Sequence, residues 1–272
     1  MLEACWKYFV LGIVQGITEF LPISSTAHLK IVPVLLGWGD PGISITAVLQ
    51  LGSVLAVIIY FKNDLKYALQ GIYSAITRNQ WKTRNGKLGI TIIIGTIPII
   101  IVGALIKLFW IDFQSSALRS IPFIGLLSII MAALLGIAEY LGSQDKNISI
   151  ISRKDGLLIG ISQIFAIIPG VSRSGVTLTT AMFLGWERKD AARFSFLLGI
   201  PAISFSGLAE FSNALHNGFN PNYGFLPLVV GLSTSVIVSW LSIDWLLNFL
   251  QKNNTFIFIL YRFIFGIALL LI

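Results

Sequence analysis

The feature that most constrains this chain is a series of apolar runs, each about as long as a bilayer core is thick. Residues 43–61, 88–106, 121–141, 194–211, 225–250 and 255–272 are almost free of charge, and about 20 such residues span the roughly 30 Å of hydrocarbon. Backbone groups cannot stay unpaired in lipid, and the runs lack the alternation of a barrel strand, so they must be helical. With 56% of 272 residues hydrophobic and 11% charged, no water-facing surface could be built without large apolar patches. The expected fold is all-α and polytopic, one membrane domain over residues 1–272 with about six transmembrane helices.

Three function classes recede at once. Glu3, Gln15 and Glu19 interrupt the first apolar stretch and no small-residue cleavage pattern follows, so it reads as part of the fold and not as a cleaved leader. Cys5 is the only cysteine, which excludes an intrachain disulfide and a thiolate metal cluster. The net charge of +7 suggests nucleic acid, but the basic residues sit in short segments beside the spans, where membrane topology accounts for them.

Those charges orient the chain. The segment 62–87, read as a loop, carries Lys62, Lys66, Arg78, Lys82, Arg84 and Lys87 against Asp64, which marks it as cytoplasmic. Counting forward, 107–120 is external, and Lys146, Arg153 and Lys154 are inside. Residues 156–184 are broken by Pro169-Gly170 and followed by Arg188, Lys189 and Arg193. With both flanks inside, this stretch enters and leaves on one side. The loop 212–224 has no Lys or Arg and is external. Counting backward, residues 8–37, broken at Pro22, form a hairpin from the external face. Trp38, Tyr60, Trp110 and Trp186 fit interfacial belts.

The two hairpins resemble each other. Leu21-Pro22-Ile23-Ser24-Ser25-Thr26-Ala27 aligns, with one insertion, on Ile168-Pro169-Gly170-Val171-Ser172-Arg173-Ser174-Gly175, and Leu51-Gly52 and Leu198-Gly199 follow thirty residues later. An internal duplication follows, with an inverted repeat of 1–145 and 146–272 whose broken helices meet near the midplane in a polar cavity.

An ionisable residue deep in a bilayer costs roughly 2.5–3.5 kcal/mol on insertion scales, so each needs a partner or a purpose. Glu19 and His28 flank the first break and Arg173 sits at the second. Ser24, Ser25 and Thr26, and again Ser172 and Ser174, stand where a new half-helix begins and its first N–H groups can face an anion. Arg173 can hold two phosphate oxygens at once, with Thr177 on the same face. Ser25 and His28 share a helical face, so the imidazole is placed to exchange protons there. Glu19 is placed to bind a divalent cation or position a nucleophile. Taken singly, the serines read as caps and Glu19–Arg173 as a buried ion pair; their coincidence at two matched breaks favours a phosphoryl-transfer site. Glu139 and Lys107 lie near span ends and can snorkel, Lys30 adds positive potential or reaches the interface, and Arg262 pairs rather than reacts.

Gln15-Gly16-Ile17-Thr18-Glu19-Phe20-Leu21-Pro22-Ile23-Ser24-Ser25-Thr26-Ala27-His28 and Pro169-Gly170-Val171-Ser172-Arg173-Ser174-Gly175-Val176-Thr177 closely resemble the two signatures of the undecaprenyl diphosphate phosphatase family, the bacitracin-resistance type. The likeness extends over nearly the whole chain, including Gln50-Leu51-Gly52-Ser53 and Tyr261-Arg262-Phe263. It implies a bacterial plasma-membrane enzyme that hydrolyses the C55 polyprenyl diphosphate lipid to its monophosphate for cell-wall synthesis, with Mg²⁺ or Ca²⁺ and a site open to the external face. By motif position, Glu19 matches the essential glutamate, Ser25 the proposed nucleophile, His28 the motif histidine and Arg173 the phosphate-binding arginine. Ser172, Ser174 and Thr177 fall on polar positions of the second signature. Gln15 stands where many members have glutamate, so metal binding rests more on Glu19 and substrate phosphates. Attack by water or directly by His28 stays open, as does a homodimer. The competing class is a transporter or flippase for a phosphorylated lipid, because inverted repeats with broken helices are also a transporter design.

Overall fold

A computed structural model describes residues 1–81, 83–110, 116–216 and 225–272, without the side chains of 43, 44, 210 and 213–216. Among the described residues there are eleven α-helices and no strand beyond an isolated bridge between Lys146 and Trp186. In chain order they are α1 (Leu2–Thr18), α2 (Ser25–Leu35), α3 (Ile43–Tyr60), α4 (Lys62–Arg78), α5 (Arg84–Phe109), α6 (Ile121–Leu141), α7 (Arg153–Gln163), α8 (Arg173–Phe183), α9 (Arg188–His216), α10 (Phe225–Lys252) and α11 (Phe256–Leu270).

All six apolar runs are helical. Helices α5, α6, α9 and α10 are long and apolar enough to cross a membrane by themselves. Helix α3 meets α4 at a 78° bend. Helix α11 has 15 residues, about 22 Å at 1.5 Å per residue and so shorter than the hydrocarbon core. The expected breaks at Pro22 and Pro169-Gly170 divide α1 from α2 and α7 from α8. The protein is an all-α, multi-pass membrane protein.

The basic segment 62–87 is not the expected loop. It is mostly α4, whose Ala68, Gly71 and Ala75 are buried while Tyr67, Leu69, Tyr73 and Ile76 are exposed. Small residues repeating at helical spacing let the helix lie against the start of α5, where a Cβ on Gly71 would strike the backbone of Asn85 and Gly86. Charge counting alone could not see this, because the packed stripe is made of Ala and Gly. Asp64 pairs with Arg193 of α9 and so holds α4 to the bundle. Lys82, residues 111–115 and residues 217–224 of the expected external loops lie outside the described residues.

Helix contacts depend on small residues, as membrane packing requires when no hydrophobic drive separates helix from lipid. Helix α1 lies along α10, where a Cβ on Gly16 would come within 2.8 Å of the Ser239 nitrogen. Helix α7 lies along α5 through Gly160 against Gly95. Helices α6 and α11 meet where Gly125 and Gly266 face each other's carbonyls.

Two placements differ from expectation. Trp186 is 1% exposed and packs on Phe194 under the turn into α9, with ring centroids 5.4 Å apart, so it belongs to the core and not to an interfacial belt. Glu139 does not snorkel. It is buried, ion-paired to Arg188, and accepts from the Thr255 hydroxyl at 2.7 Å and backbone N–H at 3.1 Å. Sequence runs mark span ends only to within a turn or so, which is enough to reverse both inferences.

Candidate active site

Each broken helix restarts on a serine with positive φ. Proline has no N–H to continue the helix, and after Pro22 the chain turns so that Ser24 caps α2 at φ 75, ψ 94. After Pro169, Gly170 takes φ +96, a conformation suited to glycine, and a Cβ there would lie 2.9 Å from the Ile124 carbonyl. Ser172 then caps α8 at φ 72, ψ 117. Such backbone costs on the order of 1–3 kcal/mol per residue and gathers at functional sites. The correspondence reaches the side chains: Ser24 Oγ lies 3.2 Å from Thr26 Oγ1, and Ser172 Oγ lies 3.2 Å from Ser174 Oγ. The two caps differ in one respect. Ser172 Oγ accepts from the Gly175 N–H at 3.1 Å, whereas no side chain caps α2, leaving its first-turn amides for another acceptor.

Around this junction a buried polar network joins both hairpins. Ser25 donates its hydroxyl to Glu19 Oε2 at 2.6 Å, and Gln15 donates to the same oxygen at 3.0 Å and to Ser53 of α3 at 3.1 Å. Arg173, from the other hairpin, places Nη2 3.4 Å from Glu19 Oε1 and donates from Nη1 to the Ser195 carbonyl of α9 at 2.9 Å. Ser174 Oγ lies 3.1 Å from the carbonyl oxygens of both Glu19 and Leu21. Thr177 donates to the Arg173 carbonyl at 2.8 Å, and its hydroxyl is 2.5 Å from that of Ser195. Charge-assisted pairs normally close to about 2.7–2.9 Å, so the 3.4 Å contact leaves the guanidinium loosely held by its carboxylate. Arg173 Nε and Gln15 Oε1 are buried with no protein partner, an open donor and an open acceptor at one carboxylate.

The predicted residues therefore divide. Gln15, Glu19, Ser25 and Arg173 form one network, with Ser174 and Thr177 tying its edges. Ser24 and Ser172 are caps, and Thr26 is exposed. His28 stands apart: although it shares a helical face with Ser25, its Nδ1 lies 2.8 Å from the Ser24 carbonyl and its Nε2 2.6 Å from the Tyr261 hydroxyl of α11. Lys30 reaches the Arg119 carbonyl.

Arg262 joins the two breaks. It is 1% exposed, has no carboxylate partner among the described residues, and donates to the carbonyls of Pro22 at 3.0 Å, Gly170 at 2.6 Å, Val171 at 3.2 Å and Ser128 at 3.2 Å. Broken helices leave carbonyls open, and one guanidinium fork satisfies those of both hairpins. It does pair, but with backbone. Sequence reasoning assigned no role to Ser195, Ser53 or Tyr261. The Ser195 contact to Arg173 is through a carbonyl, which leaves no side-chain signature.

No group of three or more His, Cys, Asp or Glu side chains is placed to hold a metal among the described residues. The donor set instead fits a divalent ion shared with a phosphorylated ligand. Glu19 supplies one carboxylate and Gln15 an unpartnered oxygen, and such ions commonly complete their shell from phosphates and water.

The profile of the family described as Bacitracin resistance protein BacA matches residues 8–268. The chain belongs to this family. It is 56% identical over 270 residues to the undecaprenyl-diphosphatase of Synechococcus sp. (strain CC9311), covering 99% of this chain and 95% of the relative. It is likewise 56% identical over 269 residues to that of Parasynechococcus marenigrum (strain WH8102), covering 98% and 93%. Against that of Prochlorococcus marinus (strain MIT 9303) it is 54% identical over 270 residues, covering 99% and 92%.

Proposed function

We infer that this chain is an undecaprenyl-diphosphate phosphatase, a hydrolase that returns the lipid carrier to its monophosphate for cell-wall synthesis. Similarity to proteins of that name over essentially the full length of both chains supports the activity. The observation that carries the site is the meeting of Ser25, Glu19 and Arg173 from two broken helices, with the Ser25 proton already directed at a carboxylate 2.6 Å away.

In the mechanism we propose, the diphosphate lies at the uncapped N-terminus of α2, and Arg173 exchanges its loose contact with Glu19 for phosphate oxygens. Ser25 Oγ attacks the terminal phosphorus while its proton passes to Glu19. The bond from that phosphorus to the bridging oxygen breaks and the lipid monophosphate leaves. Water then hydrolyses the phosphoserine, restoring the hydroxyl and releasing inorganic phosphate. Ser174 and Thr177 hold the arginine-bearing helix against the first break and α9, Ser172 caps it, and Ser24 and Thr26 stand at the head of α2. Glu19 and Gln15 Oε1 would hold Mg²⁺ or Ca²⁺, which would neutralise charge on the diphosphate.

The same proposal makes 1–145 and 146–272 inverted repeats of a single domain, for which the matched serine caps and the pairing of α1 with α10 and α7 with α5 are the support. The distribution of basic residues supports a site facing outward from a bacterial plasma membrane. The test is turnover in proteoliposomes with the Ser25→Ala and Arg173→Lys variants. A phosphatase loses phosphate release in both, since a point charge cannot clamp two oxygens. Lipid movement that survives Ser25→Ala without any phosphate release by the wild type would instead establish a transporter.

A further inference from the structure

His28 has both ring nitrogens engaged, and the partners determine the tautomer. The Ser24 carbonyl 2.8 Å from Nδ1 can only accept, so Nδ1 carries the hydrogen. In the neutral ring Nε2 is then an acceptor, and the Tyr261 hydroxyl 2.6 Å away donates to it. The imidazole is clamped besides: it stacks on Phe265 with centroids 4.4 Å apart and planes 7° apart, and Tyr261 stacks on Phe265 at 5.9 Å. The chain of donors runs from α11 through His28 to the carbonyl of Ser24, the residue whose positive φ sets the direction in which α2, and with it Ser25, begins.

We infer that Tyr261 and His28 are positioning residues for the nucleophile: the Ser24 carbonyl sets the Nδ1–H tautomer of His28, the Tyr261 hydroxyl holds the ring in place by donating to Nε2, and the Nδ1–H fixes the strained Ser24 peptide ahead of Ser25. His28 is then neither the attacking group nor the base, because its only lone pair is occupied and neither nitrogen faces Ser25 or Glu19. Fixing one ring nitrogen through the bond made by the other is the usual way a histidine's chemistry is set.

The inference rests on the phosphatase reading only for its kinetic test. Nitrogen-15 spectra of ring-labelled protein in detergent, in a His216→Gln background that leaves His28 as the one histidine, read the tautomer directly. The Nδ1–H form is expected, and an Nε2–H form overturns the inference even if the enzyme turns over as proposed. Tyr261→Phe keeps the stack and removes the donor. It should lower kcat about tenfold, leave KM within about twofold and keep the Nδ1–H tautomer while moving the Nε2 resonance toward that of an unbonded pyridine-type nitrogen, whereas wild-type kcat with an unchanged Nε2 resonance refutes the role of Tyr261. Asparagine places its amide N–H near Nδ1 and glutamine near Nε2, so His28→Asn should keep at least tenfold more activity than His28→Gln. Equal loss in both returns His28 to direct chemistry. Absence of phosphate release by the wild type would count against the phosphatase reading and leave the spectral result standing.

Discussion

Alanine at position 199 should slow turnover 10- to 100-fold in a protein that still folds. Gly199 packs on the guanidinium of Arg173, and a Cβ there would overlap Nη1 and Cζ and sit 2.9 Å from Nη2, against an ordinary contact beyond 3.4 Å. The group must withdraw by more than 0.5 Å at Nη2 (3.4 less 2.9 Å) and further at the other two atoms. The obstacle is the end of a flexible side chain, so the backbone has no reason to move. Alanine is also favoured over glycine inside a helix by roughly 0.5–1 kcal/mol. Displacing a clamp by about 1 Å can cost on the order of 100-fold in rate, or about 2.7 kcal/mol of transition-state stabilisation. Phosphate release by the purified variant, with its thermal unfolding in the same detergent, gives both quantities. The expected result is a 10- to 100-fold lower kcat with unfolding at or above the wild-type temperature. Wild-type kcat would show that the seating of Arg173 against α9 is irrelevant to catalysis.

Arg262→Met leaves the three carbonyls at the breaks, those of Pro22, Gly170 and Val171, without their arginine donor, each costing about 1–3 kcal/mol, so the variant should lose most of its thermal stability in detergent, while Arg262→Lys keeps a partial set of bonds and falls between; a Met variant that melts like wild type removes the strut. Gln15→Glu adds a second carboxylate beside Glu19, 3.0 Å from the present amide nitrogen, and should lower the divalent-metal concentration needed for half-maximal activity. An unchanged metal requirement there would take Gln15 out of the metal site.

Much of this was legible because lipid leaves few choices. Uninterrupted apolar runs must be helices, and the breaks at Pro22 and Pro169 could be read from the matched serine-rich sequence that follows each, since Pro98 and Pro201 lie inside continuous helices and proline alone marks no break. Glu19, Ser25 and Arg173 stood out because an ionisable or polar side chain in such surroundings is costly without a partner. What could not be read has a common cause: it depends on backbone groups or on a distant helix. Arg173 is held by a carbonyl of α9, Arg262 by four carbonyls, and His28 turns back to the carbonyl of Ser24, four residues before it, which swings its ring toward α11 instead of toward Ser25. Helical periodicity places a residue on a face but does not say which neighbour its side chain will choose.

The central claim is that a serine, a carboxylate and an arginine brought together by two broken helices hydrolyse a polyprenyl diphosphate. The most direct measurement is inorganic phosphate release from C55 diphosphate by the purified protein in detergent, with and without chelator, beside Glu19→Ala, Ser25→Ala and Arg173→Ala. Metal-dependent release by the wild type that is lost in all three variants is the predicted result. Release that survives in Ser25→Ala and Arg173→Ala, or none from well-folded wild type, would contradict it.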